Sequence, residues 1–192
     1  MASLESQDLT HDPMPECQPP APAHGVGRRA CLLAAASVGL GGVGTAWSLD
    51  RPVATVVLTI SGRVHMANVG GEARFDMPML EALPQHSFAT RTPWYARARR
   101  FTGPLLRDVL AAAGAQGSLL RLGALNDYRV DMPFDDAQRH DVILARLLDG
   151  QPMGVRDKGP LFVVYPFDAR AELRSAIYYS RSAWQLRTIA VL

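Results

Sequence analysis

Thiols are the residues most able to hold a redox-active metal, and both cysteines of this chain, Cys17 and Cys31, lie near its start. Residues 49–192 carry none, so that stretch offers no disulfide, no iron–sulfur ligand and no sulfur nucleophile. A metal there would depend on His65, His86, His140 or carboxylates, and nothing pairs the histidines at ligand spacing. His86 precedes a strand; a packed or surface role is the plain reading and a pocket-facing one the alternative. The cations are more suggestive. Arg91, Arg97, Arg99 and Arg100 lie close together, and guanidinium forks suit phosphate and sulfur oxyanions. A solvated arginine-rich loop is the competing reading. Lys158, the sole lysine, suits either a phosphate contact or an ordinary turn beside Gly159. Asp127 and Tyr128 follow Asn126 and either line a groove or simply turn the chain. Asp135-Asp136 reads as a helix N-terminal acid pair favoured by the dipole, not a catalytic dyad. Trp94 and Trp184 read as core. The chain has no glycine-rich phosphate loop, no convincing Ser–His–Asp order and no haem-attachment CxxCH.

These groups need a scaffold. A chain 48% hydrophobic and 20% charged has enough apolar residues for a globular core. Its formal charge of +2 makes no case for nucleic acid as a partner. Past Ser48 nearly all the basic residues are arginine, a composition that suits a coding bias as well as anion binding.

Residues 1–48 read as a leader. Residues 1–27 are Pro- and Ala-rich without apolar periodicity, which is expected of a disordered segment. Arg28-Arg29 precedes the apolar run Ala30 to Ala46, and Ala46-Trp47-Ser48 has the small residues a signal peptidase accepts. The run is short and glycine-rich for a permanent span, although an uncleaved anchor is the alternative. The paired arginines with Leu32 are twin-arginine-like, against an ordinary secretory signal. A periplasmic location follows as an expectation.

The remaining 49–192 shows no repeat or linker and is expected to be a single domain. Ala54 to Ile60, Glu72 to Asp76, Ser87 to Thr92, Leu119 to Leu125 and Tyr128 to Met132 suggest strands. So do Val142 to Leu148, Leu161 to Tyr165, Tyr178 to Ser180 and Trp184 to Val191. Pro78 suits the first turn of a short helix closed by Pro84, and Pro104 opens a second helix that Gly114 ends. Most connections are too short for helical crossovers, so the expected class is α+β, a mixed, largely antiparallel sheet with a few short helices.

Several segments in order resemble the oxidoreductase molybdopterin-binding domain, the fold of sulfite oxidase and of the periplasmic methionine-sulfoxide reductase catalytic subunit. They are Phe101 to Leu110, Asn126-Asp127-Tyr128 leading to Pro133, Asp141 to Ala145 with Asp149 to Met153, Asp157 to Pro166, and Trp184 with the final strand. The resemblance implies a polar groove for a pterin and puts Thr90, within one residue, where the family has its molybdenum-ligating cysteine. It also makes Arg91, Asp127, Tyr128 and Lys158 candidate cofactor contacts, with Lys158 replacing the family's histidine. A hydroxyl is a poor ligand for a soft metal. The cofactor expectation is therefore molybdopterin without a Cys-ligated metal and without haem. The expected activity is that of an oxidoreductase acting on a small oxyanion or sulfoxide. A cofactor-free ligand-binding or sensory module is the alternative. The expected partners are a small anionic ligand or pterin and a membrane-bound periplasmic protein.

Overall fold

The computed structural model describes residues 49–192. The leader expected from the sequence, with Arg28-Arg29, Cys17 and Cys31, lies outside the described residues. Strand β1 (Val56–Gly62) alternates so that Leu58 and Ile60 point into the core. It pairs with β2 (Ala73–Asp76), whose last residue caps helix α1 (Met77–Ala82) through its side chain on the Met79 N–H. Pro78 sits in that first turn, as the sequence suggests. Strand β3 (Gln85–Thr92) then forms a hairpin with β4 (Tyr95–Pro104), and helix α2 (Leu106–Ala112) buries Leu106, Val109 and Leu110. Strands β5 (Leu119–Ala124) and β6 (Arg129–Pro133) flank the Asn126-Asp127 turn, and α3 (Phe134–Arg139) follows directly.

Three short strands, β7 (Ile143–Ala145), β8 (Leu147–Leu148) and β9 (Gln151–Pro152), lead to β10 (Phe162–Val164). Helix α4 (Ala176–Arg181) and β11 (Leu186–Val191) complete the described residues. The strands form a five-stranded sheet ordered β2-β1-β11-β5-β6, a four-stranded sheet β3-β4-β8-β9 and a β10-β7 pair. Only β1 with β11 runs parallel. This is the mixed α+β class the sequence implies. One continuous core joins the sheets through Phe75, Phe101, Phe162, Tyr165 and Phe167, each fully buried and each worth roughly 1.5–3 kcal/mol in removed apolar surface. Among the described residues no helix is long and apolar enough to cross a membrane.

Three local expectations are corrected. The arginine-rich stretch 97–100 is not a loop but the middle of β4, where Arg99 and Arg100 pair with Thr90 and Ala89 of β3 beside a register shift. Its strand character comes from those partners rather than from apolar alternation. Residues 178–180 are helical, because α4 sends Tyr178 against Tyr165 and Tyr179 against Phe167. The run 142–148 is split: β7 pairs with β10, and after Arg146 the chain changes sheets so that β8 pairs with β4. Gly103 makes that junction fit, since a Cβ there would stand 2.0 Å from the Leu144 carbonyl oxygen.

Candidate functional site

Thr90 lies on β3 and is 1% exposed. Its Oγ1 accepts the Asp168 N–H at 3.1 Å and donates to the Arg91 carbonyl at 3.4 Å. The Arg91 N–H in turn donates to Asp168 Oδ2 at 2.8 Å. The end of β3 is thereby stapled to the loop after β10. The hydroxyl is occupied as donor and acceptor, the Arg91 side chain is exposed, and neither residue lines the two cavities next to this staple.

The first cavity, about 440 Å³, is aromatic: Trp94, Tyr128, Tyr179 and Trp184 line it with Asn126. Trp94 comes from the β3–β4 hairpin and meets Trp184 edge-on at 5.6 Å and Tyr179 at 6.1 Å. These tryptophans are half-buried rather than fully core as expected; each packs on the core and also walls the cavity. Tyr128 directly precedes β6, and its hydroxyl donates to the Ser180 carbonyl on α4 at 2.8 Å. The Asn126 Oδ1 accepts the Tyr128 N–H. Asp127 adopts the left-handed conformation at φ 63° and serves the turn, and its carboxylate does not line the cavity.

The second cavity, about 420 Å³, is polar and holds Tyr95, Arg99, Asp149, Arg156, Asp157 and Lys158. Trp94 and Tyr95 are consecutive at the hairpin, yet one lines each cavity. Lys158 occupies the left-handed region at φ 71° and lays its Nζ 5.6 Å from the Tyr95 ring and 5.2 Å from the Trp184 ring. Gly159 beside it cannot carry a side chain, because a Cβ would stand 2.0 Å from the Met153 carbonyl oxygen. The Lys158 carbonyl accepts the Gln185 N–H at 2.9 Å, which ties this loop to the Trp184 segment. Of the clustered arginines only Arg99 lines the cavity; Arg91, Arg97 and Arg100 do not complete a ring around it. The Arg100 backbone N–H, against the opposing effect of burial, and the Arg99 guanidinium hold the Asp149 carboxyl below the usual range. Burial pushes the Tyr95 phenol up, so it stays neutral at physiological pH.

Trp184 therefore links the two half-sites through a contact: it walls the aromatic cavity, and the Lys158 ammonium of the polar cavity lies over its ring. The sequence analysis reached Thr90, Arg91, Asp127, Tyr128 and Lys158. Of these the structure brings only Tyr128 and Lys158 to this paired site, with Arg99 from the clustered arginines, and it adds Trp94, Tyr95, Asn126, Arg156, Tyr179 and Trp184. The Trp94-Tyr95 doublet at a strand end was the one available signal.

A separate buried polar cluster lies under α4. Asp136 turns inward, whereas Asp135 pairs with Arg139 at the surface. Its Oδ2 accepts the Tyr165 hydroxyl at 2.7 Å and Arg181 Nη1 at 2.9 Å. Burial, with Asp136 beside it, pushes the Tyr165 phenol strongly up. His140 packs against Tyr165 and Tyr178 with its Nδ1 unpartnered, while His65 and His86 are exposed.

Residue chemistry decides which part of a cofactor fits. Thr90 offers a fully engaged hydroxyl that does not ionise near neutrality, and among the described residues no group of three His, Cys, Asp or Glu is arranged to hold a metal. The position that resembles the family's thiolate thus does not fit a soft metal. The organic part of such a cofactor fits better, with aromatic walls for a ring and three cations around the adjoining space. The sequence profile of the oxidoreductase molybdopterin-binding domain matches residues 53–169. No curated protein matches the chain significantly. The matched segment carries Trp94, Tyr128 and Lys158, whereas Tyr179 and Trp184 lie beyond it.

Proposed function

Because the chain belongs to the oxidoreductase molybdopterin-binding domain family, we propose that it is an exported binding module that holds a planar, anion-bearing heterocycle, a pterin foremost, without ligating a metal through sulfur. The observation that carries this reading is the Trp184 ring, which walls the aromatic cavity and lies 5.2 Å from the Nζ of Lys158, a lining residue of the cationic one. Trp94, Tyr128 and Trp184 would flank the heterocycle, and Arg99, Arg156 and Lys158 would face its phosphate. Molybdopterin would supply redox chemistry only through a molybdenum held on its dithiolene; the residues here bind and orient. Export rests on Arg28-Arg29, the apolar run after them and Ala46-Trp47-Ser48. A second reading is favoured by the three cations around the polar cavity: an oxidoreductase whose substrate is a small oxyanion or sulfoxide.

Purification from a host that makes molybdenum cofactor separates the two. The binding module yields fluorescent oxidised pterin without stoichiometric molybdenum, and Thr90→Cys then raises metal loading. Stoichiometric molybdenum in the wild-type protein supports the oxidoreductase instead. Folded protein that retains no pterin, and that fails to bind added pterin-6-carboxylate, overturns the proposed ligand.

A further inference from the structure

Helix α4 supplies one wall of the aromatic cavity through Ala176, Tyr179 and Ser180, yet none of its residues is buried and its N-terminus has no side-chain cap. At six residues it is too short to be stable by itself, so whatever holds it closed must come from outside. The chain is anchored on either side, by Leu173 at 0% and Ser182 at 3% exposure. Between these anchors the polar fastenings to the rest of the domain are the Arg181 guanidinium on Asp136 and the Tyr128 hydroxyl on the Ser180 carbonyl. Asp136 is in turn oriented by Tyr165, which donates to the same oxygen that Arg181 contacts. Tyr178 and Tyr179 add ring contacts to Tyr165 and Phe167 at 5.2 and 4.9 Å. The opposite walls, Trp94 and Trp184, belong to the hairpin and to the residues leading into β11, and both pack on the core.

We infer that α4 is a lid on the aromatic cavity, latched by the Arg181–Asp136 pair and the Tyr128–Ser180 hydrogen bond, and that a ligand enters when the latch opens. The inference rests on the aromatic cavity being the ligand site. The Arg181 and Asp136 side chains are 21% and 11% exposed, so water has access to compete for the pair. Opening about the Leu173 and Ser182 anchors would uncover Trp94 and Trp184 without disturbing the sheets.

Hydrogen exchange on the full-length protein reads the lid directly. In Arg181→Gln, the amides of residues 176–181 should exchange about ten-fold faster while those of β5 and β11 keep their wild-type rates. Tyr128→Phe, which removes only a hydroxyl, should accelerate the same six residues to a smaller extent. Acrylamide, a neutral quencher, should reach the tryptophans more readily in both variants, any contribution from Trp47 being common to all. Pterin-6-carboxylate at saturation should slow exchange in α4 of the wild-type protein. Unchanged α4 exchange in Tyr128→Phe together with unchanged or globally raised exchange in Arg181→Gln overturns the lid. If pterin-6-carboxylate does not bind but both variants open α4 selectively, the ligand assignment fails and the lid stands.

Discussion

Replacing Lys158 by Met removes the ammonium and keeps an apolar stem of similar length. The native residue already sits at φ 71° without being glycine, so Met meets the same backbone cost and the change isolates the charge. The stability loss is confined to two cation–π contacts, about 0.5–1 kcal/mol each at a partly exposed site. Binding should suffer more. A carboxylate about 4 Å from the ammonium gains ~4 kcal/mol at an effective dielectric of 20. Salt and the competing carboxylates Asp149 and Asp157, which line the same cavity, reduce that to about 1–1.5 kcal/mol, roughly ten-fold in affinity. Fluorescence titration with pterin-6-carboxylate at low and physiological salt measures the loss, and the same titration with unsubstituted pterin gives the baseline. Lys158→Met should weaken the anion about ten-fold, flatten its salt dependence and leave the neutral ring within about two-fold. Equal losses for both ligands, or none for the anion, would refute the division of the site into aromatic and cationic halves.

Other residues give independent checks. Asp76 is buried, and although burial raises its carboxyl, the N–H groups of Met79, Ala54 and Val53 outweigh that and hold it below its ordinary value of 3.8. A depressed carboxyl stabilises the fold above the unfolded-state value and loses that contribution as pH falls through the folded one. Thermal melts should therefore drop below about pH 4, and Asp76→Ala should cost about 1 kcal/mol of cap at neutral pH while flattening the acid limb. Thr90→Val strands the Asp168 N–H and should cost about 1–2 kcal/mol by urea denaturation; an unchanged midpoint would show that the staple holds nothing. Gly159→Ala forces a Cβ onto the Met153 carbonyl and should cost about 1–3 kcal/mol, with weaker pterin-6-carboxylate binding because the displaced loop carries Arg156 and Lys158. Changing Arg28 and Arg29 together to Lys should leave the protein in the cytoplasm; export that continues undiminished in cell fractionation would remove the twin-arginine assignment.

Much of the scaffold was legible because its signals are local. β1 and β10 are runs of apolar and β-branched residues, β5 is leucine-rich, Asn126-Asp127 and Asp149-Gly150 are turn pairs, and Pro78 marks the first turn of α1. β4 was hidden because between Tyr95 and Phe101 it holds only alanine and arginine, with no large apolar or β-branched side chain, and its partners lie on β3 and β8. Tyr178-Tyr179-Ser180 has strand-like composition, yet the rings it must meet, Tyr165 and Phe167, demand a helix.

By itself the sequence determined the absence of cysteine after residue 48, the strand-rich class and the chemical identity of the cations. Only the tertiary structure decided that the Thr90 hydroxyl is tied to Asp168, that Arg99 alone of the four clustered arginines lines the polar cavity, and that Trp94, Tyr128 and Trp184 wall one cavity while Lys158, over the Trp184 ring, lines another. The physical reason is range. Periodicity and turn chemistry act over a few residues, whereas Lys158 reaches Trp184 because Phe162 bridges to Trp184 and the Gln185 N–H holds the Lys158 carbonyl. Those contacts exist only once the sheets have paired.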